Sequence, residues 1–338
     1  MPILLHSTAF DERAGVGKKN LDNDPSIRDN VQNVLDSTIA GNPQQPDVAW
    51  THLSAGEVSR RLEHQAIQVS EYTVNKVYDE LHLGVRQMSK SETMKEVENR
   101  DEQFRHIAVL RAAFVGAGLP VLSMDTKKKE QLGNFFRPGK GYGSTPLKVY
   151  DHDFVSFSEG CVVPHGLYDE EKNRGYISLG LSKDTSEFML DNIFYWWKEE
   201  LQWVYPEAKA MLLLCDGGGS NGSRNHIVKH DLYRLSKALG VTIVVAHYPP
   251  YCSKWNPIEH RLFSELTRAW QGQPFLNLQI VKELAQKTST STGLSVKARV
   301  NQKKYLPQRK APDDFFINKD NYVKFSENLS NWNYWFTP

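Results

Sequence analysis

The stretch "MLLLCDGGGSNGSRN", residues 211–225, decides how the chain is read. Five apolar residues, Met211 to Cys215, run into Asp216 and then into Gly217, Gly218 and Gly219. A short apolar run bounded by glycine is a buried strand emptying into a loop. An acid at the tip of such a strand needs a cause. Two are open: Asp216 is a metal ligand, or the glycine run cradles a phosphate with an acid beside it.

Gly217, Gly219 and Gly222 satisfy the G-x-G-x-x-G spacing of a dinucleotide-binding turn. That motif also needs an acid at the end of the next strand, to hold a ribose. The next strand candidate, "VTIVVAHY" (241–248), ends instead in Ala246, His247 and Tyr248. A second glycine-rich stretch, "RPGKGYGST" (137–145), has Gly141 after Lys140 where a phosphate loop places Ser or Thr. No nucleotide cofactor is expected.

Strands and helices alternate around this centre. "LPVLSMDT" (119–126) is a strand ending at Asp125, and "GYISLGLS" (175–182) is another. A long amphipathic helix follows, "DTSEFMLDNIFYWWKEELQWVY" (184–205). After the decisive strand come the helix "SRNHIVKHDLYRLSKALG" (223–240), the strand "VTIVVAHY" and a helix in "NPIEHRLFSELTRAW" (256–270). This order predicts an α/β domain with a mixed sheet flanked by helices.

Residues 20–110 read as helical and mostly polar, interrupted by Pro43 and Pro46. Within them, "LSAGEVSRRLEHQAIQVSEYTVNKVYDEL" (53–81) predicts a helix over 56–64 and a second opened by Ser70 as N-cap. The pair, 56–82, is either a helix-turn-helix that enters a major groove or a plain helical hairpin. If it reads DNA, Glu71, Tyr72, Thr73, Asn75 and Lys76 are the candidate readers. Three regions are expected: N-terminal helices over 1–112, the α/β domain over 113–272, and a basic, then aromatic C-terminal appendage over 273–338.

The 338 residues carry a net charge of +1, so no global basic field announces nucleic acid. Between Leu284 and Pro312, however, Lys287, Lys297, Arg299, Lys303, Lys304, Arg309 and Lys310 occur without one acid. Such a run is a solvated surface or a DNA-binding segment. Cys161, Cys215 and Cys252 are too widely spaced for a disulfide framework or a zinc motif. No apolar run is long enough to span a bilayer, and His6 interrupts the short apolar start. A cytoplasmic protein with reduced thiols is expected.

Three acids stand at element ends: Asp125 before "TKKK", Asp216 before "GGGSNG", and Glu259 at the start of a helix. Each has a local explanation. For Glu259 it is a capping box, with Asn256 as N-cap and Pro257 in the first turn. Together they have another. Hard Mg²⁺ or Mn²⁺ takes carboxylate oxygens, and two such ions drive phosphodiester displacement. Without a cation, three converging carboxylates repel and raise one another's pKa. Lys127, Lys128 and Lys129 beside Asp125, and Ser253, Lys254, Trp255 and Asn256 before Glu259, would then meet phosphates and an unpaired base.

The blocks "SMDTKKKEQLGNF", "DHDF", "VPHGLYD", "RGYISLGLSKDTSEF", "LLCDGGGSNGS", "AHYPPYCSKWNPIEHRLFSELTRAWQG" and "TSTSTGLSV" together resemble the Rhodopirellula-type DDE transposases of bacterial insertion sequences. The resemblance runs from about residue 20 to the C-terminus. It implies a ribonuclease H-like catalytic fold, with Asp125, Asp216 and Glu259 matching the family's two aspartates and a glutamate. It also implies two Mg²⁺ or Mn²⁺ ions per site, cleavage and transfer of DNA strands at element ends, and a homo-oligomer on paired ends. Further expected DNA contacts are Ser220, Asn221, Arg261, Lys303 and Lys304. Family members look longer at the N-terminus, with another helix-turn-helix before "GVGKKN" (15–20). Here "MPILLHSTAFDERA" stands there, so weak discrimination of element ends is expected.

Overall fold

The computed structural model describes residues 24–42, 45–86, 96–218, 222, 224–327 and 329–338. Expectations that fall on Ser220, Asn221 and the first 23 residues lie outside these. The chain forms two compact units, Met1–Glu92 and Thr93–Pro338.

The first unit opens with α1 (Ser26–Asp36), followed by an antiparallel pair, β1 (Ala40–Asn42) and β2 (Gln45–Trp50). A helical reading of this stretch missed the pair. Of the two prolines expected to interrupt a helix, Pro46 lies within β2 and Pro43 lies outside the described residues. Next come α2 (Ala55–His64) and α3 (Glu71–Glu80). Both are capped: the Ser54 hydroxyl accepts from the Glu57 amide, and the Ser70 hydroxyl, the cap expected from the sequence, from the Thr73 amide. Ile27, Val31 and Leu35 of α1 pack with Val58, Leu62, Val74 and Val77 into one small core. This three-helix arrangement leaves Glu71, Tyr72 and Asn75 of α3 exposed. Thr73 is buried and its hydroxyl bonds Ser70, so it is withdrawn as a reader of DNA.

The second unit is built on one sheet. Its elements are α4 (Arg100–Gly116), β3 (Val121–Thr126), β4 (Glu130–Leu132), β5 (Gly160–Asp169), β6 (Arg174–Gly180) and α5 (Ser186–Trp196). A wider π turn over Trp197–Leu201 joins α5 to the short α6 (Gln202–Val204). Then follow β7 (Ala210–Cys215), α7 (His226–Leu239), β8 (Thr242–His247), a second π turn over Glu259–Phe263 leading into α8 (Ser264–Trp270), α9 (Leu278–Gln286) and β9 (Ser295–Asn301). The chain ends in α10 (Asp313–Ile317), α11 (Lys319–Tyr322), β10 (Lys324–Phe325) and β11 (Asn333–Phe336).

The nine-stranded sheet runs β10-β11-β8-β7-β3-β5-β6-β9, with β4 paired to β5. At its centre, β3, β7 and β8 are parallel and β5 is antiparallel to both neighbours. Five strands in the order β8-β7-β3-β5-β6, with that one reversal, form the expected ribonuclease H-like mixed sheet. α5 and α7 pack against Met124, Leu213 and Val245 on one face. α4 covers Val121, Leu212 and Leu214 on the other, beside α8 and α9 over Tyr168, Ile177 and Leu179.

Two segments sit differently from the sequence reading. Most of α4 falls in the 1–112 region assigned to N-terminal helices, yet it packs on the sheet through Ile107 and Phe114. The Gln103 amide bonds the His247 carbonyl at 2.8 Å and the Asn333 side chain at 2.9 Å. The C-terminal segment is likewise more than an appendage. β9 extends the sheet beside β6, and β11 extends it beside β8. A strand edge left unpaired exposes a row of donors and acceptors, so the aromatic run 332–336 finds its place by pairing.

α8 seats closely on the sheet because two strand positions have no side chain. A Cβ on Gly166 would stand 2.7 Å from the Phe263 ring and 2.9 Å from Ile258. One on Gly175 would stand 2.4 Å from Leu262. Gly166→Ala is therefore expected to cost about 1–3 kcal/mol by overpacking. Gly116→Ala, where a Cβ meets nothing within 4 Å, should be neutral or slightly stabilising. Thermal melts of the two variants check this contrast, and equal effects would contradict the close seating.

Candidate active site

The register of the parallel pair β3–β7 places the two aspartates. Val121 aligns with Leu212, Leu122 with Leu213 and Ser123 with Leu214. Carried two residues on, the same register sets Asp125 level with Asp216, on strands about 4.8 Å apart. Side chains alternate along a strand, so Val121, Ser123 and Asp125 share one face, as do Leu212, Leu214 and Asp216. That face is the one covered by α4 and α8. Glu259 reaches it from the π turn that precedes α8. Such turns recur at functional sites because they re-aim one side chain.

The Asp125 carboxyl feels the other two acids. Burial, then the Asp216 charge, then Glu259 push the Asp125 carboxyl up to about 8, against a bond from the Thr126 amide that works the other way. The Thr126 amide donates to Asp125 Oδ1 at 2.7 Å. Glu259 lies close enough to Asp125 to push that carboxyl up, by its charge and as a neighbouring polar side chain. The donor set is all oxygen, as Mg²⁺ or Mn²⁺ requires. The residues fit such an ion. Among the described residues, no three His, Cys, Asp or Glu side chains are already drawn up as a metal cage.

Around the acids the structure sorts the other sequence candidates. Asn256 is fully buried. Its Nδ2 donates to the Met124 carbonyl at 3.2 Å and its Oδ1 accepts from Ser123, so it touches β3 and not DNA. The capping-box reading of Glu259 goes with it. The Asn256 side chain, committed to β3, caps none of the helix's first amides, and Glu259 turns to Asp125. Lys127 is only 12% exposed, paired with Glu130 at 2.7 Å and lying over the Trp270 ring. It braces the strand end. Lys128 and Lys129 are exposed, as are Ser253, Lys254 and Arg261. Trp255 is 54% exposed, with Lys254 Nζ 5.5 Å from its ring.

The basic tail is largely spoken for. Lys303 bonds Glu187 at 2.9 Å and Asp191 at 2.7 Å, Arg309 bonds Asp231 at 3.0 Å, and Lys297 bonds Glu200 at 2.6 Å. The absence of acids within the segment hid this, because its partners lie on α5, α7 and the π turn between α5 and α6. Lys304 stays exposed on the surface and Asn75 on α3, while Lys76 leans over Tyr72 at 5.3 Å.

Sequence reading passed over His247. Burial pushes its pKa down to about 4, which keeps the ring neutral. Its Nδ1 bonds the Asp216 carbonyl and its Nε2 the Tyr334 hydroxyl, each at 2.8 Å. Strand β11 thus helps to fix the backbone of Asp216. A polar residue closing the otherwise apolar "VTIVVAH" was the available signal.

A family model, described as the Rhodopirellula transposase DDE domain, matches residues 30–338. A search of curated proteins finds no match. Among solved structures the chain is similar to a Mos1 transposase paired-end complex with the left transposon end: 17% identity, TM-score 0.42, over 76% of this chain and 68% of that one. It is also similar to a Mos1 mariner paired-end complex with Mn, at 15% identity and TM-score 0.39, over 81% of this chain and 72% of that one.

The Asp125 carboxyl predicts a pH dependence. Its folded value near 8 lies above the unfolded value of about 4. Between the two, the folded state keeps a proton that the unfolded state has lost, so stability falls as pH rises through that window. Asp125→Asn should melt higher than the parent at pH 8 without metal, and the gap should close towards pH 5. Saturating Mn²⁺ should raise the parent's melting temperature and leave that of Asp125→Asn nearly unchanged. Parallel pH series of melts, with and without Mn²⁺, check both.

Proposed function

We propose that this chain, which belongs to the Rhodopirellula transposase DDE-domain family, cuts and joins DNA strands at the ends of a mobile element, with Asp125, Asp216 and Glu259 holding Mg²⁺ or Mn²⁺. The observation that carries the reading is that Asp216 and Glu259, both far from Asp125 in sequence, act together on the buried Asp125 carboxyl. When bound, two such ions about 4 Å apart would activate the attacking oxygen and stabilise the leaving one.

The chain's own residues do the rest. Asp125 and Asp216, level on adjacent strands, offer oxygens to one point, and Glu259 closes the group from the helix side. The neutral His247 holds the Asp216 backbone, and its burial keeps it out of proton transfer at neutral pH. Exposed Lys128, Lys129, Lys254 and Arg261 supply charge for phosphates, and the Trp255 face offers a surface on which an unpaired base stacks. In the first unit, Tyr72, Asn75 and Lys76 of α3 are the groove-reading candidates. One small module offers few base contacts, each good bidentate pair being worth about 1–3 kcal/mol. Oligomerisation on paired ends belongs to the same proposal, by family.

The test is divalent-cation-dependent cleavage of a duplex carrying the element's terminal sequence. Asp125→Asn, Asp216→Asn and Glu259→Gln should each slow it by about a thousandfold or more, while circular dichroism stays that of the parent. Full activity in Glu259→Gln would remove that residue from the site. Binding without cleavage by the unaltered chain would identify an idle DNA-binding relic.

The salt dependence of DNA binding separates free from engaged cations. Replacing Lys128 and Lys129 by Gln should flatten the log–log slope by about 0.9 per lost phosphate contact. Replacing Lys303 and Arg309 should leave the slope and lower the melting temperature, since their charges meet Glu187, Asp191 and Asp231. A slope that falls with the second pair would return the tail to the DNA interface.

A further inference from the structure

We infer that Ser123 is a positioning residue: its hydroxyl caps the helix that carries Glu259 and so sets that carboxylate against Asp125. The inference rests on the metal-site reading above and goes beyond it, since Ser123 itself touches neither metal nor DNA there. Ser123 is fully buried on β3, two residues before Asp125 and on the same face. Its Oγ donates to Asn256 Oδ1 and accepts from the Ile258 amide, the latter at 3.0 Å.

A helix leaves its first amides without partners, and a side-chain oxygen normally comes from the residue just before the helix. Here that residue is Asn256, and its side chain is used elsewhere. Nδ2 reaches the Met124 carbonyl, and Oδ1 takes the Ser123 proton. The cap therefore comes from another strand, 135 residues away in sequence. The Glu259 amide in turn bonds the Asn256 carbonyl at 3.0 Å. The bonds to Ser123 and Met124 tie the start of the Glu259 helix to the strand that carries Asp125. Apolar packing of Leu262 and Phe263 holds the helix on the sheet but is tolerant of sliding. Directional bonds to Ser123 and Met124 fix where along β3 it stops. The offset between Ser123 and Asp125 then becomes the offset between Ile258 and Glu259.

The experiment titrates Mn²⁺ into the full chain, read by the electron paramagnetic resonance of the free ion, alongside melts and amide hydrogen exchange. Ser123→Ala and Asn256→Ala should each weaken Mn²⁺ binding about tenfold or more and speed exchange over residues 257–263. The double variant should lose no more than the worse single one, because the two side chains act as one joint. Leu235→Ala, on the opposite face of the sheet, is the stability control. It should melt lower while binding Mn²⁺ as the parent does. Should Ser123→Ala fail to fold, Asn256→Ala carries the same test. The inference is overturned if both variants bind Mn²⁺ within twofold of the parent, or if Leu235→Ala weakens binding equally. A parent that binds Mn²⁺ but never cleaves DNA would defeat the transposase reading and leave the Ser123 inference to the affinity series. A parent that takes up no Mn²⁺ would overturn both.

Discussion

Two carboxylates level with each other on adjacent strands, with a third delivered from the helix above, repel unless something positive joins them. Asp125, Asp216 and Glu259 stand in this relation, and burial with the two neighbouring acids lifts the Asp125 carboxyl to about 8. Much of the second unit bears on that strained group. Parallel pairing of β3 with β7 sets the level of the two aspartates. The bare faces of Gly166 and Gly175 let the helix approach. Ser123 and Asn256 fix where it stops. His247 and Tyr334 steady the backbone that leaves β7. Apolar burial would favour many ways of covering this sheet. Directional bonds select one that leaves a repulsive cluster in place, a local cost that makes sense when a ligand removes it.

This division of labour explains why the acids are partly buried and the cations are not. Burial strengthens the pull of the cluster on a hard ion, since charges interact more strongly away from water. Lys128, Lys129 and Arg261 stay exposed, where a long anionic partner can lie across several charges at once. The basic residues of the tail serve the fold instead. Lys297, Lys303 and Arg309 close ion pairs onto Glu200, Glu187, Asp191 and Asp231, binding the outer strand β9 and the segment after it to the helical layer.

Strands β3, β6, β7 and β8 and the Ser70 cap of α3 were legible because each leaves a local mark: apolar runs end in glycine or an acid, and Ser70 precedes helical periodicity. The central strand β5 was not read from the sequence. What was not legible depends on partners distant in sequence. Asn256 has the sequence context of an N-cap, and its side chain is diverted by a serine 133 residues earlier. Lys303 has the context of a free cation until α5 is laid beside it. Thr73 has the polarity of a groove reader but lies inward, against Ser70. The C-terminal aromatics carried no sign of which strand they would join, because edge pairing is settled by register and not by composition.

The most direct test of the account is a crystal structure of the chain grown with Mn²⁺, with the ion located by its anomalous scattering. The account predicts a peak at the carboxylates of Asp125 and Asp216, with Glu259 beside it. A map with no peak at these residues, or with Mn²⁺ held only elsewhere, would contradict it.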